Sequence, residues 1–177
     1  MTIRAVVKMG NQQLATPSVA VSDFSDPMLA GIINDMRDTM LEESGVGIAA
    51  PQIGQNIRVV IFGFEENTRY PDEFAVPFTV LINPEIKILS DEMVDGWEGC
   101  LSVPGLRGLV PRYNKIQYQG FDLSGNFFST IAEGFHARVV QHECDHLDGI
   151  LYPQRMVDMS RFAFQEEALK YLWKRET

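Results

Sequence analysis

Two histidines flank a glutamate at residues 142–146, in the pattern H-E-x-x-H. Four residues along an α-helix turn about 400° and rise about 6 Å, so the imidazoles of His142 and His146 would leave one helix face, one turn apart. At that spacing they can bind one metal ion, and Glu143 lies beside them, where it can take a proton from a coordinated water. The competing interpretation is an exposed polar helix face that binds no metal.

A catalytic zinc-type site usually has three protein ligands and one open position, so a third donor must come from elsewhere in the chain. The best candidate is Cys100, because a thiolate is a strong ligand and the adjacent Gly99 allows close approach of the backbone. Alternatives remain open at Glu166 and Glu167, since a glutamate on a later helix completes the site in one class of H-E-x-x-H protease. Both glutamates also suit a solvated helix face paired with Lys170.

The other histidine and cysteine fit less well. His136 lies six residues before His142, about 240° around the helix, which makes it a poor ligand to the same ion. Cys144 is about 200° from His142 and points away from the metal face, as a small buried apolar residue would. Without a recognisable secretion signal, a disulfide between Cys100 and Cys144 is not expected.

The segments that must position these residues mix helices with strands. Asp26 and Pro27 are typical of a helix start, and apolar spacing continues this helix to about residues 44–45. Segments 58–64, 78–82 and 86–89 read as strands, with a break at Asn83-Pro84, and 109–131 as antiparallel strands with a hairpin signal at 122–126. Residues 132–147 form the metal-site helix, with Gly149 just past its end, and 160–175 a second amphipathic helix that includes Trp173.

This pattern predicts an α+β fold, with mostly antiparallel sheets packed around the central H-E-x-x-H helix and with N-terminal and C-terminal helices. The 177 residues are expected to form one catalytic domain, 1–177. No apolar run is long enough to span a membrane, and the N-terminus does not read as a signal peptide. A net charge of -9 without a basic cluster argues against direct nucleic-acid binding.

Three segments, taken in order and spacing, resemble the peptide deformylase family. They are Gly45-Val46-Gly47-Ile48-Ala49-Ala50-Pro51-Gln52, Glu98-Gly99-Cys100-Leu101-Ser102 and Gln141-His142-Glu143-Cys144-Asp145-His146. The resemblance runs from the N-terminal segment to about Tyr152. It implies removal of the formyl group from the initiator methionine of nascent polypeptides, with release of formate.

The resemblance also implies roles for particular residues. Cys100, His142 and His146 would hold the metal with a water in the fourth position, and Glu143 would act as general base and then general acid. The hydroxide so formed would attack the formyl carbon. The side-chain amide of Gln52 and the backbone N–H of Leu101 would donate to the developing oxyanion.

The substrate contacts are likewise implied by the match to the family. The methionine side chain would occupy an apolar slot formed by Val46, Phe135, Val139 and part of His142, although an apolar stripe of this kind is more often plain core. The peptide would add as a strand along backbone groups of Val46, Gly47 and Gly99. Arg107 is a candidate peptide contact, or else an ordinary surface arginine.

One thiolate and two imidazoles suit Fe(II), zinc, nickel or cobalt, and the resemblance implies Fe(II) as the native ion. The expected partners are N-formyl-methionyl nascent peptides and, transiently, the ribosome. The C-terminal helix, with Lys170, Lys174 and Arg175, could contribute to that contact. The expected location is the bacterial cytoplasm. Two other functions remain alternatives: a zinc endopeptidase with Glu166 as third ligand, and a non-enzymatic protein with a structural metal.

Overall fold

A computed structural model describes residues 2–66 and 73–172 of the chain. Its main helices are α1 (Pro27–Glu42) and α2 (Gly134–Leu147). The strands are β1 (Gly47–Ala49), β2 (Val59–Phe64), β3 (Val76–Ile88), β4 (Met93–Cys100), β5 (Val103–Tyr113), β6 (Lys115–Phe121), β7 (Phe127–Glu133) and β8 (Phe162–Phe164). The architecture is α+β, as the sequence predicts. No helix within the described ranges is long and apolar enough to cross a membrane.

The strands form two sheets in which every neighbouring pair is antiparallel. The larger sheet has the order β1-β2-β3-β6-β7, and the smaller has the order β4-β5-β8. Side chains alternate between the two faces of a strand, and the central strand β2 is buried on both. Val59 and Ile61 pack with α1 on one face, while Val60 and Phe62 pack with α2 on the other. This explains why β2 reads as an unbroken apolar run.

The start of α1 follows the prediction. Pro27 occupies the first helical turn, and the side chain of Asp26 accepts a hydrogen bond from the Met28 N–H at 2.8 Å. The side chain thereby satisfies one of the four N–H groups that a helix start leaves without an intrahelical partner. The helix ends at Glu42, just before the predicted stop at residues 44–45.

The helix α2 carries residues 142–146 and contacts strands of both sheets. It begins two residues later than predicted, because β7 continues to Glu133 and Ala132 is paired with Ile116 in the sheet. Gly134 then turns the chain with a positive φ of 59°. After the last helical residue, Gly149 adopts a φ of 75°, the left-handed conformation expected just past a helix end.

The predicted break at Asn83-Pro84 is a bulge within one strand rather than a gap between two. The strand β3 runs through it, and its register against β6 shifts between Ile82 and Glu85. Asn83 has a φ of 51°, and its side-chain amide exchanges two hydrogen bonds with the backbone of Val21 at 2.9 Å. These bonds hold the irregular residue in place, so the strand continues on the far side. The strand β4 was not predicted.

The predicted helix over 160–175 is wrong in its first part. Residues 162–164 form β8, which pairs with Leu106–Gly108 of β5, because the alternating aromatic residues fit a sheet edge as well as a helix face. Among the described residues of this stretch, helical structure comprises a 3-10 turn at Met159–Arg161, the short helix Gln165–Glu167 and a turn of π-helix over Ala168–Leu172. Ala168 is buried, whereas Phe164 and Leu169 are exposed. Trp173, Lys174 and Arg175 lie outside the described residues.

Candidate metal centre and cleft

Three side chains converge on one point between the two sheets. The Sγ atom of Cys100 and the ring nitrogens of His142 and His146 all lie within 4.8 Å of one another, and all three residues are buried. Cys100 is the last residue of β4, whereas both histidines lie on α2. Their ring centroids are 5.1 Å apart, as expected for one helical turn. The structure thus places the preferred third donor, Cys100, beside both histidines.

This donor set fits a divalent transition metal. A thiolate with two imidazoles is a common ligand set for such ions, which require deprotonated sulfur. Burial alone would raise the pKa of the Cys100 thiol, but the positive charge of His146 and hydrogen bonds from His142 and His146 hold that pKa well below its usual value. The Nδ1 atom of His146 is buried without a hydrogen-bond partner in the described part of the chain. The lowered pKa of Cys100 favours the thiolate, which is the form that a metal binds.

A carboxylate behind the ligands orients His142. The Oε2 atom of Glu98 lies 2.8 Å from Nδ1 of that ring, which leaves Nε2 available to a metal ion. Glu98 also accepts from Arg112 at 2.9 and 3.0 Å and from Arg138 at 2.9 Å. Burial opposes ionisation of this carboxyl, but the charge of Arg112 and the hydrogen bonds from His142 and Arg112 lower its pKa. A second carboxylate, Asp145, accepts from Arg112.

Glu143 projects into the same region. Its carboxyl is buried, and its Oε2 atom has no hydrogen-bond partner among the described residues. Burial raises the pKa of this carboxyl to about 7. A Cβ atom on Gly47 would overlap the Glu143 side chain. Gly47, the first residue of β1, therefore gives Glu143 the space to reach the site, and this explains why a residue without a side chain stands at that position.

Gln52 and the turn after Cys100 also border this cluster of side chains. The Oε1 atom of Gln52 accepts from the Ala49 N–H at 2.8 Å, so its amide nitrogen points towards the ligands. That nitrogen lies 3.4 Å from Cys100 Sγ and 3.2 Å from Ser102 Oγ. Leu101 and Ser102 form a two-residue turn between Cys100 and Val103. A pre-oriented amide donor beside a metal centre can stabilise negative charge on a nearby oxygen.

An open cleft lies in front of these groups. It brings together most of the residues that the sequence singles out. They are Val46, Gly47, Gln52, Gly99, Cys100, Leu101, Phe135, Val139, His142 and Glu143, with Glu98 and Arg138 as further lining residues. Phe135, Val139 and His142 are spaced i, i+4, i+7 along α2 and so share one face of the helix. The cleft could hold an apolar side chain next to the metal ligands.

Arg107 differs from its prediction. The expectation of a surface arginine is wrong, because only 1% of this residue is exposed. It is also absent from the cleft lining. Its guanidinium packs so closely on Gly99 that a Cβ atom there would overlap it, and its Nε donates to Gln165 at 3.0 Å. In this structure Arg107 therefore lies behind the strand that lines the cleft.

The remaining sequence candidates lie away from the ligand cluster. Glu166 and Glu167 are exposed and, like His136, are not part of the Cys100–His142–His146 group found in the described ranges. Cys144 is buried, as predicted. Both Cys144 and Cys100 have free thiols. Burial raises the pKa of Cys144 above its usual value.

Sequence reasoning missed the charged network behind His142. Glu98 and Asp145 lie within the segments that resemble the family, but the sequence predicts no role for them or for Arg112 and Arg138. The position of Asp145 inside the H-E-x-x-H segment was one available signal, because a helix residue between two ligands is held near the site. Nothing in the spacing of the two arginines, 14 and 40 residues from Glu98, indicates their partner.

Comparison with known proteins agrees with this geometry. The polypeptide deformylase family profile matches residues 3–162. "Peptide deformylase 2" of Ralstonia nicotianae is 60% identical over 164 residues, 93% of each chain. "Peptide deformylase 1" of Bordetella pertussis is 58% identical over the same share of each chain.

Solved structures give the same result. The class I type b peptide deformylase of Acinetobacter baumannii bound to Met-Ala-Ser has a TM-score of 0.84 and 42% identity, covering 88% of this chain and 99% of that one. A peptide deformylase from Ehrlichia chaffeensis has a TM-score of 0.80 at 31% identity, covering 90% of this chain and 91% of that one. The chain therefore belongs to the polypeptide deformylase family, and it removes the N-formyl group from nascent polypeptides.

Proposed function

We propose that Cys100, at the end of β4, and His142 and His146, on the central helix α2, hold one divalent metal ion, and that this centre carries out the deformylation. The observation that carries the proposal is the approach of the three ligand atoms to within 4.8 Å of one another, next to a buried carboxyl. When bound, a divalent ion supplies Lewis acidity and lowers the pKa of a coordinated water. We further propose Fe(II) as the native ion, with zinc, nickel or cobalt able to replace it.

Glu143 is the proposed proton carrier. Its Oε2 atom has no partner among the described residues, and burial raises its pKa to about 7, so the carboxyl can hold and release a proton near neutral pH. It takes a proton from the attacking water, whose oxygen forms the new bond to the formyl carbon. It returns a proton to the amine nitrogen as the C–N bond breaks, leaving formate and a free N-terminus.

Gln52 and Leu101 are the proposed oxyanion donors. The Gln52 amide is fixed by its bond from the Ala49 N–H, and the Leu101 backbone belongs to the turn that follows a metal ligand. A donor that is already oriented costs no reorganisation as charge grows on the formyl oxygen. These two groups therefore act in the transition state more than in substrate binding.

Val46, Phe135 and Val139 are the proposed walls of the methionine pocket, because all three line the cleft beside His142. The peptide backbone would pair with Gly47 and Gly99 at the cleft edge. Arg107 packs behind Gly99, so it would support that edge from the side away from the cleft rather than contact the peptide directly.

The substrate class also suggests where the protein works. We propose a cytoplasmic enzyme of one catalytic domain, 1–177, that meets its substrates at the ribosome. To test the contact, ribosome co-sedimentation of the full chain is compared with that of a variant lacking 173–177 and carrying Lys170→Glu. Equal co-sedimentation would remove the C-terminus from this role.

The alternatives lack a matching arrangement. A zinc endopeptidase needs Glu166 as third ligand, and Glu166 lies outside the ligand group of the described chain. The test uses anaerobically prepared protein of known metal content. Amine release is followed from formyl-Met-Ala-Ser and from its acetylated analogue, with Cys100→Ala as control. Release from the formyl peptide alone, lost with the metal in the control, supports the proposal; full activity in Cys100→Ala would overturn it.

A further inference from the structure

The two proposed oxyanion donors come from separate parts of the fold. Gln52 lies in the 3-10 helix Ala50–Ile53, which follows β1 of the five-stranded sheet. Leu101 lies in the turn between β4 and β5 of the three-stranded sheet. Because the two sheets are separate hydrogen-bonded units, sheet pairing alone does not fix the position of one donor relative to the other.

A short N-terminal segment, Val7-Lys8-Met9, bridges the two donors. We call it the N-terminal strap. The Val7 N–H donates to the Gln52 carbonyl at 2.8 Å, and the Met9 N–H donates to the Ser102 carbonyl at 2.8 Å. The ammonium group of Lys8 donates to the Leu101 carbonyl at 2.9 Å. The strap therefore bonds to the backbone of Gln52 and to both carbonyls of the Leu101-Ser102 turn.

Lys8 is the only member of the strap that makes its bond with a side chain. A hydrogen bond from an ionised donor is about twice as strong as a neutral one. Holding the Leu101 carbonyl restricts rotation of the residue whose own N–H is the proposed donor. Lys8 is itself exposed, so replacing its side chain removes this bond without opening the core.

We propose that Lys8 is a positioning residue for deformylation: from the N-terminal strap, it fixes the Leu101-Ser102 turn and thereby orients the Leu101 N–H relative to Gln52. This inference rests on the proposed roles of Gln52 and Leu101. Because the donors act on charge that develops in the transition state, loss of Lys8 lowers kcat more than it changes KM.

The test is steady-state kinetics on formyl-Met-Ala-Ser with metal-quantified protein. Lys8→Met should lower kcat about tenfold, because small misplacements of catalytic groups have effects of this size. KM and metal per chain should stay within about twofold of wild type, since neither the ligands nor the cleft walls change. Lys8→Arg keeps a charged donor and should recover most of kcat. The matched control is Lys87→Met, which removes an exposed lysine of β3 and should behave as wild type.

Two results would overturn the inference. One is a kcat for Lys8→Met equal to that of Lys87→Met. The other is a variant that binds less metal, has a higher KM and unfolds at a lower midpoint, with none of these changes recovered in Lys8→Arg. That result would indicate a structural role for Lys8. Should Lys8→Met not fold, Lys8→Gln carries the same test. Gln52→Met, measured alongside, separates the two proposals: if it loses kcat while Lys8→Met does not, only the inference about Lys8 fails.

Discussion

The Nδ1 atom of His142 lies 2.8 Å from Oε2 of Glu98, a carboxylate that is itself held by Arg112 and Arg138. The orientation of one proposed metal ligand is therefore set by buried charged side chains on β4, on β5 and on α2 itself. We expect Glu98→Gln to weaken metal affinity by about 10-fold to 100-fold, the usual effect of losing a partner behind a ligating histidine. Metal competition with a chelator measures this.

The matched control for this change is Glu85→Gln, because Glu85 is an exposed carboxylate on β3 that accepts a hydrogen bond from the side chain of Gln119. Its metal affinity should equal that of wild type. Equal affinities for all three proteins would show that Glu98 does not support the ligand.

Glu143 should be separable from metal binding. We expect Glu143→Gln to keep one metal per chain and to lose at least about 10²-fold in kcat, since proton transfer by a positioned group contributes about 10²–10⁴-fold. Metal analysis and single-turnover kinetics on the same sample test both parts. Retention of more than a tenth of the wild-type rate would assign the proton transfer to another group.

Gly99 and Arg107 give a prediction about stability. A Cβ atom on Gly99 would overlap the guanidinium of Arg107, which would have to shift although only 1% of this residue is exposed. Gly99→Ala should cost about 1–3 kcal/mol, as overpacking a tight site does. The control is Gly31→Ala in α1, where a Cβ atom meets nothing within 4 Å. That change should stabilise the protein by about 0.5–1 kcal/mol. Urea unfolding of both variants tests the contrast.

The partial burial of His136 leads us to expect that the stability of the protein depends on pH. The ring is half-buried against Phe62 and Tyr118, its Nε2 has no partner within the described chain, and burial lowers its pKa below the usual 6.5. The unfolded chain therefore binds this proton at higher pH than the folded protein does. Stability from the neutral ring is present above about pH 6.5 and is lost as the pH falls through the folded pKa.

The measurement for His136 is the difference in unfolding free energy between pH 7.5 and pH 5.5 for wild type and for His136→Phe. The contribution of the metal site is common to both proteins, so it cancels when the two pH-dependent differences in unfolding free energy are subtracted. The wild type should lose more stability on acidification than the variant. A variant that loses as much as the wild type would mean that His136 is not the group responsible.

The sensitivity of the activity to oxygen tests which metal ion the protein uses. Fe(II) beside a thiolate is open to oxidation, so the iron-loaded protein should lose activity in air while the zinc-loaded protein keeps its own. Both forms are prepared anaerobically and assayed before and after aerobic incubation, with metal content measured each time. Unchanged activity of protein with verified iron would contradict the expectation.

Local patterns predicted α1 and α2, because the information that specifies a helix lies within a few residues. The Asp26-Pro27 start of α1 and the one-turn spacing of His142 and His146 are of this kind. Cys100 could be proposed from its chemistry, but its place beside the histidines depends on β4, which the sequence did not indicate. The strand β8 was taken for a helix, because pairing with Leu106–Gly108 overrode the local spacing.

The same reasoning explains what could not be predicted around the site. Arg112, Arg138 and Lys8 bond to groups 14, 40 and 93 residues away in the chain. Such contacts depend on how the sheets pack, and no periodicity in a single sequence encodes them. Arg107 shows the reverse case: a charged residue usually lies at the surface, yet here it fills the space behind a glycine.

The ligands of the proposed metal also belong to different parts of the fold. Cys100 ends a strand of the three-stranded sheet, while both histidines lie on the helix that covers the five-stranded one. A bound ion would therefore link the two parts of the core. Unfolding would have to release this ion, so the melting temperature should rise with free metal concentration. At 100 times the dissociation constant, the free energy of unfolding should be about 2.7 kcal/mol higher than without metal.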